Sequence, residues 1–240
     1  VFHSVTRLKT LERIRTDFVA NVTHEIRTPL TAIIGYLETL QEGALDRPQD
    51  AKRFIDIILK QTQRLNRLVE DLMTISKIEL GEVTLHFENV ILPDVIVSVL
   101  QLMEAKAGVK KISIENRIPY KIHPIKADRD LLCQVFVNVL DNAVKFTPEG
   151  GQVTLDAEEK ADGMIVTISD TGAGIPREEI QRLGERFYRV DKTRSRELGG
   201  TGLGLSIVKH LMLAHGGKME IESQPGRGTK VSLFFPLYAE

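Results

Sequence analysis

His24 stands between Thr23 and Glu25 in a stretch whose apolar residues recur at helical spacing. An imidazole becomes a defined nucleophile when an acceptor holds one ring nitrogen. That fixes the tautomer and leaves the lone pair of the other nitrogen to react. Glu25, next in sequence, is such an acceptor. Thr28 lies four residues on, one turn along the same helix face. Pro29 has no backbone donor and is expected to bend or loosen the helix beside His24. Taken alone, a helical His flanked by charged residues is usually just a solvated side chain.

A second group of polar residues is spaced for nucleotide chemistry. Asn138 and Asn142 are four apart, and Lys145 follows three later, so a helix would bring them to one face. Amide oxygens suit Mg²⁺ and an ammonium suits phosphate; two solvated Asn residues are the plain alternative. Asp170-Thr171-Gly172-Ala173-Gly174-Ile175-Pro176 follows a strand-like run. Its carboxylate could accept from an adenine amino group, and Gly172 and Gly174 allow close backbone approach. Asp-Thr-Gly also occurs in proteases that share a proton between two carboxylates, but that chemistry has no use for the later glycines. Arg186 to Glu197, including Arg189, is polar and basic and reads as a lid whose cations meet phosphates. Gly199-Gly200-Thr201-Gly202-Leu203-Gly204 opens a helix, where backbone N–H groups bind anions. No Gly-Lys-Ser/Thr follows it and no His-Arg-Asp or Asp-Phe-Gly is present. A Walker loop and an ordinary protein kinase are therefore excluded, and a parallel dinucleotide-binding sheet lacks its context.

Two kinds of element must carry these residues. From Ser4 to Ile78 the pattern is helical, with Leu8, Leu11, Ile14, Phe18 and Val22 in the first helix through Leu40. It breaks over 41–48, where Gly43 and Pro48 mark a turn and Asp46 or Asp50 is expected to cap the next helix. Phe54, Ile58, Leu65, Leu68, Leu72 and Ile75 then form a seam of three- and four-residue steps. Such a hairpin has little of its own to cover its seams, so a second copy completing a four-helix dimer is expected. Beyond Gly81 the pattern turns to mixed strands and helices: a strand over Val83–Phe87, a helix from Pro93 to Ala107 and a strand from Lys111 to Asn116. A helix capped by Asp128 runs to Phe146, strands cover Gln152–Glu158 and Met164–Ser169, and a helix runs from Leu203 to His215. Lys218–Glu222 and Lys230–Phe235 close the chain as a strand pair around Pro225-Gly226. This predicts a two-layer α/β domain.

His-Glu-Ile-Arg-Thr-Pro-Leu from His24 closely resembles the H-box of sensor histidine kinases. The later segments resemble, in order, the N, G1, F and G2 boxes of the ATP-binding family shared by histidine kinases, gyrase and chaperones. The resemblance spans almost the whole chain. It implies a dimerisation and histidine-phosphotransfer hairpin over 1–80, a linker over 81–86, and a Bergerat-type α/β sandwich binding ATP over 87–240. By that resemblance Asn138 holds Mg²⁺, Asn142 and Lys145 meet phosphates, and Phe146 lies next to adenine, which Asp170 reads. Gly172 and Gly174 shape the adenine pocket, Arg189 comes from the lid, and Gly200, Gly202, Leu203 and Gly204 cradle phosphates. ATP would phosphorylate His24, with Glu25 taking the ring proton, and an aspartate of a response-regulator receiver domain would receive the phosphoryl group. Thr28 would orient a water for the reverse dephosphorylation. The run from Arg186 to His210 is similar to phosphate-responsive members of the family.

Composition fits this reading. The 240 residues carry a net charge of −1 and no Trp, which gives no field or stacking surface for nucleic acid. Cys133 is the only cysteine, so no intrachain disulfide forms; a reducing, cytoplasmic setting is expected. No apolar run is long enough to span a bilayer. The chain starts at Val1 inside a helical pattern, which suggests a cytoplasmic fragment of a membrane-anchored sensor. His3, His86, His123, His210 and His215 show no ligand spacing. A nucleotide-holding scaffold and a chaperone- or topoisomerase-like ATPase are the rivals; intact His24, Glu25 and Asn138 argue against the first, and the hairpin against the second.

Overall fold

The computed structural model describes residues 2–82, 84–191 and 199–236, with side chains from residue 16 onward. Lys192, Thr193, Arg194, Ser195, Arg196 and Glu197 of the expected lid therefore lie outside the described residues. So do Val83 and the side chains of Leu8, Leu11 and Ile14. The chain divides into two compact units between Thr74 and Ile75.

The first unit is a helical hairpin. Helix α1 spans Phe2–Gln41, a short 3-10 turn covers Ala44–Asp46, and α2 spans Pro48–Glu79. Gly43 supplies the left-handed residue that stops α1, at φ 111°. The expected Asp cap is not what starts α2. Pro48 takes the first helical position, where its missing N–H costs nothing, and the Arg47 carbonyl accepts from Ala51. Asp50 sits in the first turn and pairs with Arg47 at 3.1 Å. The helices run antiparallel: the Tyr36 and Phe54 rings meet at 5.3 Å near the turn, and Glu25 meets Arg64 farther along. Leu40, Ala44 and Leu68 are buried within the hairpin. Helix α1 runs unbroken through Pro29.

The second unit is the α/β layer pair. Strand β1 (Glu88–Val90) pairs antiparallel with β3 (Ile125–Ala127) as a small ribbon. The main sheet has five strands in the order β2 (Ser113–Asn116), β4 (Gln152–Lys160), β5 (Gly163–Asp170), β7 (Gly228–Pro236), β6 (Lys218–Gln224). Only β2–β4 is parallel. Helices α3 (Leu92–Val109), α4 (Arg129–Phe146) and α6 (Gly204–Ala214) form the other layer, with a one-turn helix α5 at Arg177–Ile180. Alternation in the strands decides the buried face: Val153, Leu155, Val166, Ile168, Leu233 and Phe235 point inward. Leu132, Phe136 and Leu140 of α4 and Ile207 and Leu211 of α6 are buried as well, and the Phe136 and Phe235 rings lie 6.4 Å apart. Each fully buried side chain of this size is worth ~1.5–3 kcal/mol relative to exposure.

Two strand expectations fail for local reasons. Residues 84–87 are not a strand, because their donors are taken elsewhere: Thr84 N–H by Glu82 and His86 N–H by the Asp128 carboxylate. The strand expected from Lys111 starts at Ser113, because Lys111 is left-handed at φ 50°.

Candidate functional site

The candidate residues occupy two places, one on each unit. On α1, His24 is exposed and Glu25 largely covered. Successive helical residues diverge by ~100°, so His24 faces out while Glu25 faces the seam with α2. There Glu25 Oε2 accepts from Arg64 Nη2 at 2.9 Å, and both side chains are about nine-tenths covered (12% and 10% exposed). The expected acceptor for the His24 ring is thus engaged with Arg64. The Thr28 hydroxyl donates to the His24 carbonyl at 3.1 Å, one turn back along the same face. Pro29 is buried, and its missing donor leaves the Glu25 carbonyl without the usual helical bond from that position.

On the second unit, α4 presents Asn138, Asn142 and Lys145, all partly covered. Asp128 starts this helix by accepting from Leu131 N–H at 3.1 Å. Burial pushes the Asp128 carboxyl up, but the N–H groups of His86, Leu131 and Asp130, together with His215, outweigh it and hold it below the usual range. Asn138 Nδ2 donates to the Gln134 carbonyl at 3.0 Å, and Oδ1 would lie 2.8 Å from a Cβ placed on Gly204. Only glycine lets the α6 start approach this oxygen. An amide oxygen aimed at a glycine-rich helix start suits Mg²⁺, which needs few protein oxygens beside phosphate and water. Lys145 pairs with Asp141 at 3.4 Å, and Lys106 of α3 holds the same carboxylate at 2.5 Å. Burial raises the Asp141 carboxyl, yet the two lysines outweigh that and lower it. Lys110, which caps the end of α3, donates to the carbonyls of Val144, Lys145 and Thr147 at 2.8, 2.9 and 2.5 Å. An ammonium there satisfies the orphan carbonyls of the helix end and fixes the turn that carries Lys145 and Phe146.

Asp170 ends β5, and its Oδ1 accepts from Gly172 N–H (2.8 Å) and Thr229 N–H (3.2 Å). Burial raises its carboxyl above the usual range, against the pull of those two N–H groups. The loop after it is stitched to the β6–β7 hairpin. Ile175 N–H donates to Ser223 Oγ at 2.9 Å and Gly226 N–H to the Ala173 carbonyl at 2.7 Å. A Cβ on Gly172 would lie 2.6 Å from Asp170 Oδ1 and 2.9 Å from the Phe146 carbonyl, so α4 and this loop touch through a glycine. Gly174, at φ 69°, has the Gln224 carbonyl where a Cβ would stand.

Gly202, at φ 76°, accepts through its carbonyl from Phe187 N–H at 2.9 Å. This ties the start of the basic segment, with half-buried Arg189 two residues on, to the glycine loop. Leu203 is fully buried and its carbonyl accepts the first bond of α6 from Ile207 N–H. It is the anchor that lets Gly200 to Gly204 run close to the helix start. The structure thus gathers Asn138, Gly204, Gly202 and Phe187 on one side, and Phe146, Asp170, Gly172 and Gly174 on the other, around α4.

Reasoning from sequence missed Arg64, Asp141, Lys106, Lys110 and Thr229. Asp141 and Lys145 are an i, i+4 pair and were legible; the others depend on tertiary contacts. His215, given no role, is buried and structural: its Nε2 accepts from Asp128 N–H at 3.1 Å.

Residues 14–81 match the His Kinase A (phospho-acceptor) domain, and residues 127–239 match the histidine kinase-, DNA gyrase B- and HSP90-like ATPase. The sensor histidine kinase WalK of Bacillus subtilis is 37% identical over 242 residues, covering 100% of this chain and 39% of the relative. The sensor protein kinase WalK of Staphylococcus aureus is 37% identical over 238 residues, covering 98% of this chain and 57% of the relative. The chain thus spans between two fifths and three fifths of these relatives. Among solved structures, histidine kinase ThkA in complex with the response regulator protein TrrA superposes with a TM-score of 0.78 at 27% identity, covering 96% of this chain and 64% of that one. The Acinetobacter baumannii histidine kinase AdeS gives 0.74 at 26% identity, covering 90% and 98%. The phosphate-responsive subgroup suggested by residues 186–210 gains no support from these relatives. With a phospho-acceptor hairpin followed by the matching ATPase domain, the chain belongs to the sensor histidine kinases.

Proposed function

We propose that this chain autophosphorylates on His24 with ATP and passes the phosphoryl group to an aspartate of a response-regulator receiver domain. The observation that carries the reading is an exposed His24 in a phospho-acceptor hairpin together with close-approach glycines gathered around α4 in a domain that matches the histidine kinase-type ATPase. In the pocket, the Asp170 carboxylate accepts from the adenine amino group, and Gly172, Gly174 and Phe146 enclose the ring. Asn142, Lys145, Arg189 and the N–H groups of Gly200, Gly202, Leu203 and Gly204 meet phosphate oxygens. Mg²⁺ would be held by Asn138 Oδ1 and would neutralise phosphate charge. One nitrogen of the neutral His24 ring then bonds to the γ-phosphorus. The bond from that phosphorus to the bridging oxygen breaks, its electron pair leaving with ADP. The proton on the other ring nitrogen passes to Glu25. Positioning and charge neutralisation supply most of the acceleration in phosphoryl transfer.

The boundaries proposed are a phosphotransfer hairpin to residue 80, a linker over 81–86 and the ATP-binding domain from 87; the end of α2 at Glu79 supports the first. We also propose a homodimer. Val19, Leu30, Ile34, Leu37, Ile55, Leu59, Val69 and Met73 of the hairpin are exposed in one copy, more apolar surface than a lone hairpin tolerates. A second hairpin completing a four-helix bundle would cover it. No helix among the described residues is long and apolar enough to cross a membrane. Placement as the cytoplasmic part of a membrane-anchored sensor rests on the resemblance alone, and no nucleic-acid role is proposed.

Transfer tests the reading. Chain labelled from γ-labelled ATP is mixed with a panel of purified receiver domains. The proposal expects label to move within minutes to at least one of them, as a base-labile acyl phosphate. Label that stays on the chain with every receiver, or free phosphate without any phosphoprotein, contradicts it. Thr28→Ala is expected to lower dephosphorylation of that receiver while autophosphorylation persists.

A further inference from the structure

Glu25 is the one group assigned to take the His24 proton, yet its carboxylate is committed elsewhere. Oε2 lies 2.9 Å from Arg64 Nη2 in a covered seam, while His24 stands exposed on the next position of the helix. A carboxylate oxygen that accepts from a guanidinium in a covered, charge-assisted pair is a poorer acceptor for anything else, because that contact must be given up first. The geometry adds to this. Neighbouring helical side chains diverge, so a rotamer that reaches across to α2 is not one that reaches the imidazole of residue 24.

We infer that Arg64 is a positioning residue that restrains phosphoryl transfer, by holding Glu25 on α2 and releasing it when His24 is to be deprotonated. The inference rests on the proposed role of Glu25. The guanidinium of Arg64 meets Glu25, and it is through Glu25 that Arg64 acts. Its rigid fork and 8% exposure make the hold specific, and a shift of α2 against α1 would loosen it. Whatever changes that helix pairing therefore changes the availability of the base.

The test is a kinetic cycle on the full chain with γ-labelled ATP, using Arg64→Gln, Glu25→Gln and the double variant. R64Q is expected to raise the autophosphorylation rate about tenfold, the kinetic worth of roughly one charge-assisted hydrogen bond. The KM for ATP should stay within about twofold, since uniform binding is untouched. In the E25Q background the R64Q gain should vanish. A folded R64Q that labels at or below the wild-type rate, while E25Q remains slow, overturns this inference and leaves the role of Glu25 standing. An E25Q that labels at the wild-type rate overturns both. Should R64Q melt below the assay temperature, Arg64→Lys is read instead: it keeps the charge and loses the fork, and a rate equal to wild type counts against the inference.

Discussion

Asp170, in its proposed role of reading adenine, would carry both recognition and a pH dependence. Its carboxyl is raised by burial, and two backbone N–H groups hold Oδ1 so that the other oxygen is left for a ligand. The ionised carboxylate is the stronger acceptor for the adenine amino group. ADP affinity should therefore fall as pH drops through the Asp170 titration, starting at higher pH than for an ordinary Asp. Stability of the ligand-free chain has the opposite sign: the folded state favours the protonated form, so this contribution is present below the unfolded pKa and lost as pH rises through the folded one. Asp170→Asn should weaken ADP binding by about 10- to 100-fold, matching a hydrogen bond to a charged group of ~1.5–3 kcal/mol. It should also flatten the pH dependence, read by fluorescence titration. The residue types at His24, Asn138 and Asp170 were legible because their chemistry and order are unusual together. Arg64 was not, because nothing local distinguishes it from the other arginines of α2; only the hairpin brings it to Glu25.

Helix α4 is the element on which the pocket depends, and its two ends are fixed differently. Asp128 caps the start, Lys110 just past α3 holds the last turn, and Lys106 of α3 holds Asp141 one turn earlier. Asp128→Ala should cost ~0.5–2 kcal/mol as a lost cap and leave the His86 and Leu131 N–H groups short of a partner. Because the Asp128 carboxyl is held low in the folded state, its contribution is present above the unfolded pKa and lost as pH falls through the folded one. Thermal melts of the variant should accordingly show a shallower loss of stability in acid than wild type. Where α4 meets α6, Gly204→Ala separates stability from binding. Gly204 is the first residue of α6 and not an interior one, so the helix preference of alanine counts for little there and the melting temperature should change little. The new methyl would sit 2.8 Å from Asn138 Oδ1, so ATP affinity in Mg²⁺ should drop about tenfold, the worth of ~1.4 kcal/mol. Most elements could be read from periodicity and capping signals. The ribbon of β1 and β3 could not, since three-residue strands carry too little alternation, and the false strand over 84–87 arose because alternation cannot reveal that Asp128 takes the His86 donor.

Across the whole chain, two compact units are joined by one polypeptide, and the proposed transfer requires the second to deliver phosphate to the first. The hairpin leaves apolar side chains such as Ile34 and Leu59 exposed, which sets an expectation for assembly. The chain of 26.9 kDa should run in light scattering at about twice that mass. Ile34→Glu with Leu59→Glu should shift it to monomer while nucleotide binding by the second unit persists. A monomeric wild-type chain would contradict the dimer.

Incubation with γ-labelled ATP and Mg²⁺, beside a His24→Gln variant, tests the central claim most directly. Acid-labile, base-stable label on the wild-type chain and none on the variant is the result expected. Equal label on both would mean that another residue accepts the phosphoryl group, and absence of label on a chain that binds ATP would contradict autophosphorylation itself.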